Sequence, residues 1–293
     1  MTLQEALLIT TKQLSPLYPP ETASSIAFWI VSWITGYDPS LLITQKNKEL
    51  PQKAHIRLHT LLHEHIHDHK PLSYIFGTVP FLSLDLIIRP PLLIPRSETE
   101  YWCSWLIDTI KVHGAPPCTI LDLCCGSGCI GLSLAHAFPQ AKLFAVDDTP
   151  LACEVTKENA QKHRITSYEC IQSNLYEALP SAQKFDLIVS NPPYISIDEW
   201  HSLEPSVAQW EDVHALVADN EGLALIAAII EQAPERLSPT PVHPGIPQLV
   251  IECGYKQGMA VKELCQKAGF SSVEVHKDPA GNDRFIAAYR DKK

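Results

Sequence analysis

The sequence predicts an α/β protein: a doubly wound, mostly parallel sheet of seven strands, preceded by a small N-terminal helical bundle and joined to it by a β-hairpin. Two observations carry this. From Thr119 onward, short β-rich runs alternate with helical ones, as strands separated by crossover helices do. Before about Lys70, strand patterning is absent and apolar residues recur at helical spacing.

Taken in order, Leu3, Ala6, Leu7 and Leu14 mark one face of a first helix, which Pro16 to Pro20 break. Glu21 to Ile34 follow as a second, largely apolar helix carrying Trp29 and Trp33, and a helix apolar on most sides predicts the centre of a bundle. A third stretch, Pro51 to His69, holds His55, His59, His63, His65, His67 and His69. His55, His59 and His63 recur at i, i+4 spacing, so three imidazoles could share one face and hold a metal. No cysteine or carboxylate triad completes that set, so we read a solvated polar face and no metal. Between Tyr74 and Pro95 the pattern alternates: Leu82, Leu84, Leu86 and Ile88 fall on one face of a hairpin, with Ser83 and Asp85 on the other.

The strands then read Thr119–Cys124, Lys142–Asp147, Tyr168–Gln172, Phe185–Ser190, Gln248–Cys253, Ser272–His276 and Arg284–Tyr289. The last two leave little room for a helix between them, which predicts an antiparallel pair at one edge. Ser238 to Pro247, with four prolines and a glycine, reads as a surface loop. The expected domains are a helical unit over 1–73, a hairpin connector over 74–95 and the α/β domain over 96–293.

Composition narrows the function. With 45% hydrophobic and 19% charged residues over 293 positions, the chain is globular rather than disordered. Its longest apolar run, Leu223 to Ile230, is far short of the ~20 residues of a membrane span. The N-terminus lacks a basic stretch followed by an apolar block, so we expect a cytoplasmic protein. Nine cysteines, an odd number with no Cys-x-x-Cys pair, argue against a disulfide framework or a zinc ribbon. A net charge of −10 argues against duplex-DNA binding, which rests on Lys and Arg neutralising phosphates.

The run Ile120 to Gly131 places Gly126, Gly128 and Gly131 after a strand and at the start of a helix, where ligand can approach backbone closely. Read literally this is G-x-G-x-x-G, and Asp147 closes the next strand where a ribose-binding acid belongs. Nicotinamide and S-adenosylmethionine enzymes both need such a turn and such an acid. Asp122, an acid at the end of the first strand, favours the second, because a cationic ligand welcomes a negative neighbour and a pyrophosphate does not.

After the strand ending at Ser190 comes Asn191-Pro192-Pro193-Tyr194. The tetrapeptide resembles the N/D-P-P-Y/F/W motif of S-adenosylmethionine-dependent methyltransferases that act on planar, weakly nucleophilic nitrogens. The Asn191 side-chain oxygen and the Pro192 carbonyl can take the two N–H bonds of an –NH₂ group, fixing its plane as it attacks. Consecutive prolines lock φ and offer no competing N–H, and Tyr194 supplies an aromatic face.

Over essentially the whole chain the sequence is similar to the HemK/PrmC family, which methylates the glutamine of the Gly-Gly-Gln tripeptide in bacterial-type peptide chain release factors. The matching segments are residues 71–77, 93–100, the glycine loop, Val146-Asp147, 191–195, 215–218 and 278–284. The resemblance implies a Rossmann-like methyltransferase domain and a helical bundle that grips the release factor. It implies that Asp122, Cys124, Gly126, Gly128, Asp147, Asn174 and Asn191 bind S-adenosyl-L-methionine, which leaves as S-adenosyl-L-homocysteine. It implies catalysis by Asn191, Pro192 and Tyr194, with these and Pro193 holding the substrate, and Arg96 to Glu100 flooring the site near the cofactor. Further expectations are a monomer, no stable nucleic-acid binding and no membrane. Three positions depart from the family: Cys124 stands for its first loop glycine, Asn174 for its aspartate near adenine, and Trp210-Glu211-Asp212 for its Phe-Glu-Pro. Alternative readings are N5-glutamine methylation of a ribosomal protein and N6-adenine methylation of nucleic acid, which requires base flipping and basic residues along the phosphates.

Overall fold

A computed structural model of the chain describes residues 1–291. It divides into two compact units, Met1–Phe76 and a second that begins at Gly77.

The first unit is helical: α1 (Leu3–Leu14), α2 (Pro20–Thr35), α3 (Pro39–Thr44), α4 (Gln52–Ile66) and α5 (Leu72–Phe76). Thr2 starts α1 with a capping box, its side chain accepting from the Glu5 N–H while Glu5 accepts from Thr2. Leu3, Ala6, Leu14, Ala23, Ile30, Leu58 and Leu61 bury completely or nearly so at its centre. The α2 helix differs from expectation. It buries Ala23, Ile26, Ala27, Ile30 and Val31, whereas Trp29 lies 64% exposed, because a single stripe of α2 meets the bundle. Trp33 packs on Phe76 and under the Arg57 guanidinium.

The histidines of α4 split into different environments. His59 is exposed and His55 half-buried, their Nε2 atoms 3.0 Å apart, and the His63 ring tilts against that of His67. His65 turns inward instead, bonded to the Tyr18 hydroxyl and the Lys70 carbonyl. Among the described residues no group of three or more His, Cys, Asp or Glu side chains is arranged to hold a metal. Nor is any helix among them long and apolar enough to cross a membrane.

The second unit opens with the hairpin β1 (Thr78–Phe81) and β2 (Leu84–Ile87), whose Val79, Phe81, Leu84 and Leu86 are buried while Asp85 is exposed. Leu82 does not share that face: it occupies the turn at φ +50°. Helix α6 (Ser97–His113) follows. The sheet comprises β3 (Thr119–Leu123), β4 (Lys142–Asp147), β5 (Tyr168–Gln172), β6 (Leu187–Ser190), β7 (Leu249–Glu252), β8 (Ser272–Lys277) and β9 (Asp283–Tyr289). Its helices are α7 (Cys129–Ala137), α8 (Pro150–Lys162), the short α9 (Ile197–Trp200) and α10 (Pro205–Ala208), α11 (Ala224–Arg236) and α12 (Gly258–Lys267). Strand order is β5-β4-β3-β6-β7-β9-β8, parallel except for β9, which runs antiparallel to both neighbours. The expected edge pair is therefore β9 with β8, and β9 also links it to β7. β6 begins two residues later than its apolar run: Phe185 makes an isolated bridge to Leu237 and the Asp186 side chain accepts from the backbone of Cys118 and Thr119.

Strand β6 lies beside β3 although β4 follows β3 in the chain. The order reverses there, and the carboxyl ends of parallel strands at such a point open a crevice suited to a ligand. The loops after β3, β4, β5 and β6 all leave the sheet at this end.

Candidate active site

The loop after β3 turns through left-handed backbone at Cys124 (φ +58°), Gly126 (φ +54°) and Gly128 (φ +80°), the last being the N-cap of α7. Gly131 is demanded by space instead: a Cβ there would lie 2.8 Å from both Asp122 Oδ2 and Leu143 Cδ1. The loop backbone is thus shaped from below by an acid and from above by one more. Asp122 Oδ2 accepts the Gly131 N–H at 2.8 Å, and Asp147 Oδ2 accepts the Gly126 N–H at 2.9 Å.

Above the loop is a cavity of about 280 Å³. Cys124, Gly126, Asp147, Asn174, Asn191 and Pro193 line it, together with Asp148, Asp212 and the side chains of Leu151, Leu175 and Leu225. Among the described residues, no lysine or arginine does. Three carboxylates, with His214 but no lysine or arginine beside them, make this a poor home for a pyrophosphate and a good one for a ligand with positive centres beside an apolar ring. That resolves the ambiguity of the glycine pattern: the residues fit S-adenosylmethionine. Asn174 donates its Nδ2 to Glu177, which leaves its Oδ1 as the free acceptor.

Asp122 and Gly128 are sited otherwise than their expected ligand role implies. Neither lines the cavity; Asp122 is wholly buried behind the loop, with Oδ1 unpartnered. Burial pushes its carboxyl up to about 7, the Gly131 N–H opposing and Asp147 adding to the rise. Burial likewise raises Asp147, against the Gly126 and Thr149 hydrogen bonds.

A second cavity of about 250 Å³ adjoins the first, bordered by Arg96, Asn191, Pro192, Pro193, Tyr194 and Leu203, with Val207 and Leu216. Leu93, Asn191, Pro193 and Ala215 border both. Arg96 therefore faces this second cavity, not the cofactor cavity whose floor it was expected to shape. Its Nη2 lies 2.7 Å from each carboxylate oxygen of buried Glu211, which gives the acid between Trp210 and Asp212 a partner. Burial raises Glu211, and Arg96 opposes. The Tyr194 hydroxyl is turned inward, donating to Glu252 Oε1 at 3.0 Å and accepting from Arg284, itself paired with Asp278. Burial pushes that phenol well above its usual range, so it is no base.

Sequence reasoning missed Glu252 and the second cavity, and gave Thr99 only a place in the floor formed by Arg96 to Glu100. Glu252 did carry a signal: it is an acid at the carboxyl end of a strand whose other residues are all aliphatic. Thr99 lay inside the 93–100 segment without an obvious chemical role.

The family model described as PrmC N-terminal domain matches residues 5–77, and that described as Methyltransferase small domain matches 103–204. The release factor glutamine methyltransferase of Escherichia coli K12 is 34% identical over 271 residues, 92% of this chain and 94% of the relative. Those of Geobacter sulfurreducens and Salmonella typhimurium are 35% and 38% identical, covering 74% and 73% of this chain and 72% and 74% of theirs. Among solved structures, the hMettl16 catalytic domain in complex with MAT2A 3'UTR hairpin 6 superposes with a TM-score of 0.54 at 16% identity over 81% of each chain, a likeness of fold.

Proposed function

This chain belongs to the release factor glutamine methyltransferase family, and from that premise we infer that it methylates the side-chain amide nitrogen of the Gly-Gly-Gln glutamine in peptide chain release factors, using S-adenosyl-L-methionine. The observation that carries the reading is the place of Asn191, which borders both cavities at once. A group held by Asn191 from the second cavity faces the first across a single side chain.

S-adenosyl-L-methionine, when bound, supplies a methyl group on a positively charged sulfur. The chain's own residues do the rest. Asn191 Oδ1 and the Pro192 carbonyl accept the two N–H bonds of the glutamine amide, fix its plane and concentrate electron density on nitrogen. Pro192 and Pro193 lock the backbone that presents this carbonyl. The Tyr194 ring borders the glutamine's flat end, and Leu203, Val207 and Leu216 enclose its methylenes. Transfer of that methyl to the held nitrogen, with S-adenosyl-L-homocysteine as the leaving group, would give an N-methylated amide cation that loses its extra proton to water. No general base is required, because an amide N–H is too weakly acidic to leave before attack.

Asp147 takes the ribose diol, Asn174 Oδ1 the adenine amine, and Cys124 with Gly126 the methionine end. Gly128 shapes that loop, and Asp122 adds negative potential beneath it. The helical segment over 1–73 grips the release factor, 74–95 connects, and 96–293 catalyses. The net charge of −10 supports a protein partner without stable nucleic-acid binding, and we read the enzyme as a cytoplasmic monomer. Labelled S-adenosylmethionine incubated separately with release factor, ribosomes and RNA or DNA tests this, the methyl group being located by mass spectrometry. Label on the tripeptide glutamine is expected; label confined to a ribosomal protein or to a base overturns the reading.

A further inference from the structure

An asparagine amide has two faces of opposite character, and only one suits the reaction above. Its oxygen accepts from a substrate –NH₂, whereas its own –NH₂ would repel it and attract a carboxylate. What fixes the face presented at Asn191 lies behind it. In the parallel pairing of β6 with β7, Ser190 stands opposite Ile251, so the next residues along are Asn191 and Glu252. Thr99 and Trp102, one turn apart on α6, bury against the same spot.

Burial raises the Glu252 carboxyl, and the Trp102, Thr99 and Tyr194 donors and the Arg284 charge oppose that rise and favour its ionised form. With Glu252 ionised, the hydrogen bonds here admit one direction. The indole Nε1–H of Trp102 can only donate, and it takes one lone pair of Glu252 Oε2 at 2.7 Å. The Thr99 hydroxyl lies 2.7 Å from the same oxygen and must donate too, since an oxygen lone pair facing the carboxylate would repel. That commits the only proton Thr99 has. Its oxygen can therefore only accept from Asn191, whose Nδ2 lies 3.2 Å away. The amide's NH₂ is held against Thr99, and Oδ1 is turned away from it. Tyr194 occupies Glu252 Oε1, so the carboxylate also anchors the far end of the Asn191 to Tyr194 tetrapeptide.

We propose that Thr99 and Glu252 are positioning residues that set the direction of the Asn191 amide, so that an acceptor always meets the substrate nitrogen and the site selects a glutamine amide over a glutamate carboxylate. The proposal rests on the release factor reading. Thr99→Val keeps the shape but offers neither donor nor acceptor, and Asn191 is then free to turn over. Turnover on release factor falls about 10- to 100-fold in Thr99→Val, with KM for the release factor changed no more than about threefold, and Thr99→Ser restores it. A release factor carrying glutamate in the tripeptide competes more strongly against Thr99→Val than against the parent enzyme. Selective ¹⁵N labelling of asparagine gives a readout independent of any substrate. The Asn191 side-chain NH₂, assigned by its loss in Asn191→Ala, shows two well-separated protons in the parent and in Thr99→Ser, and faster rotation in Thr99→Val. Thr99→Ala replaces the valine variant should that one fail to fold. Parent-like turnover in Thr99→Val, or an Asn191 signal indifferent to Thr99, overturns the proposal. A parent enzyme that leaves release factor unmethylated, while the amide signal behaves as stated, removes the functional reading and the claim of selectivity, and leaves the orienting contact established.

Discussion

Asp147 braces the glycine loop through the Gly126 N–H, which it accepts at 2.9 Å on Oδ2, while its Oδ1 takes the Thr149 N–H and hydroxyl. One carboxylate thus fixes two turns of backbone and also lines the cofactor cavity. Asp147→Ala removes both functions, and S-adenosylmethionine affinity is expected to fall by about 1.5–3 kcal/mol, the scale of charge-assisted hydrogen bonds left unmade. Calorimetry reads this directly. Unchanged affinity would take Asp147 out of the cofactor site.

On the proposed mechanism, Asn191 is a contact felt only as the reaction proceeds. Asn191→Ala should bind S-adenosylmethionine as the parent does, yet lose about 10²- to 10³-fold in kcat. Asn191→Asp keeps an acceptor of similar size but no longer has an NH₂ to give to Thr99, so partial activity is expected. With saturating cofactor, kcat should stay flat between about pH 7 and 9, since no essential group titrates there. A bell-shaped profile would instead point to a catalytic base.

Asp122 makes cofactor affinity depend on pH. Its carboxyl is pushed up to about 7 by burial, so the unliganded protein holds it partly protonated near neutrality. A cationic ligand above the loop favours the ionised form, which lowers that pKa and releases a proton on binding. Affinity for S-adenosylmethionine therefore rises as pH rises through about 7 and levels off above it. Titration calorimetry in buffers of different ionisation enthalpy measures the proton released, and Asp122→Asn should abolish the dependence. Equal heats in all buffers for the parent protein would show that Asp122 does not sense the ligand.

Cys124 sits at φ +58°, a conformation costly for any residue with a Cβ. Cys124→Gly relieves the strain and gains flexibility in the unfolded chain, two effects of opposite sign. The net expectation is a protein more stable by up to about 1 kcal/mol, with cofactor affinity preserved. A lowered melting temperature in Cys124→Gly would mean that the thiol contributes more by packing than its backbone costs.

Much of this architecture was legible in the sequence because it is written in local pattern. Most strands of the sheet are short apolar runs, and four of the seven, β3, β4, β5 and β8, begin at the residue the sequence predicts. Asp147 and Asn191 were legible because each closes such a run beside a distinctive neighbour. The rest depends on tertiary placement. Nothing in the spacing of α2 tells which stripe meets the bundle, so Trp29 looked buried. His65 lies among exposed histidines and differs from them only by the Tyr18 and Lys70 groups that meet it. Thr99 and Glu252 are about 150 residues apart and acquire a role only where α6 crosses the end of β7. The role of Arg96 likewise waited on Glu211, which folds back from a loop of two short helices.

The two cavities touch only at Leu93, Asn191, Pro193 and Ala215. Cys124, Asp147 and Asn174, at the ends of β3, β4 and β5, border the first cavity alone, while Leu203 and Val207, from the α9 and α10 segment, border the second alone. Selection can therefore act on the two ligands through different codons. A lineage could exchange its client by rewriting positions around α9 and α10, leaving the donor's binding and the transfer step inherited intact.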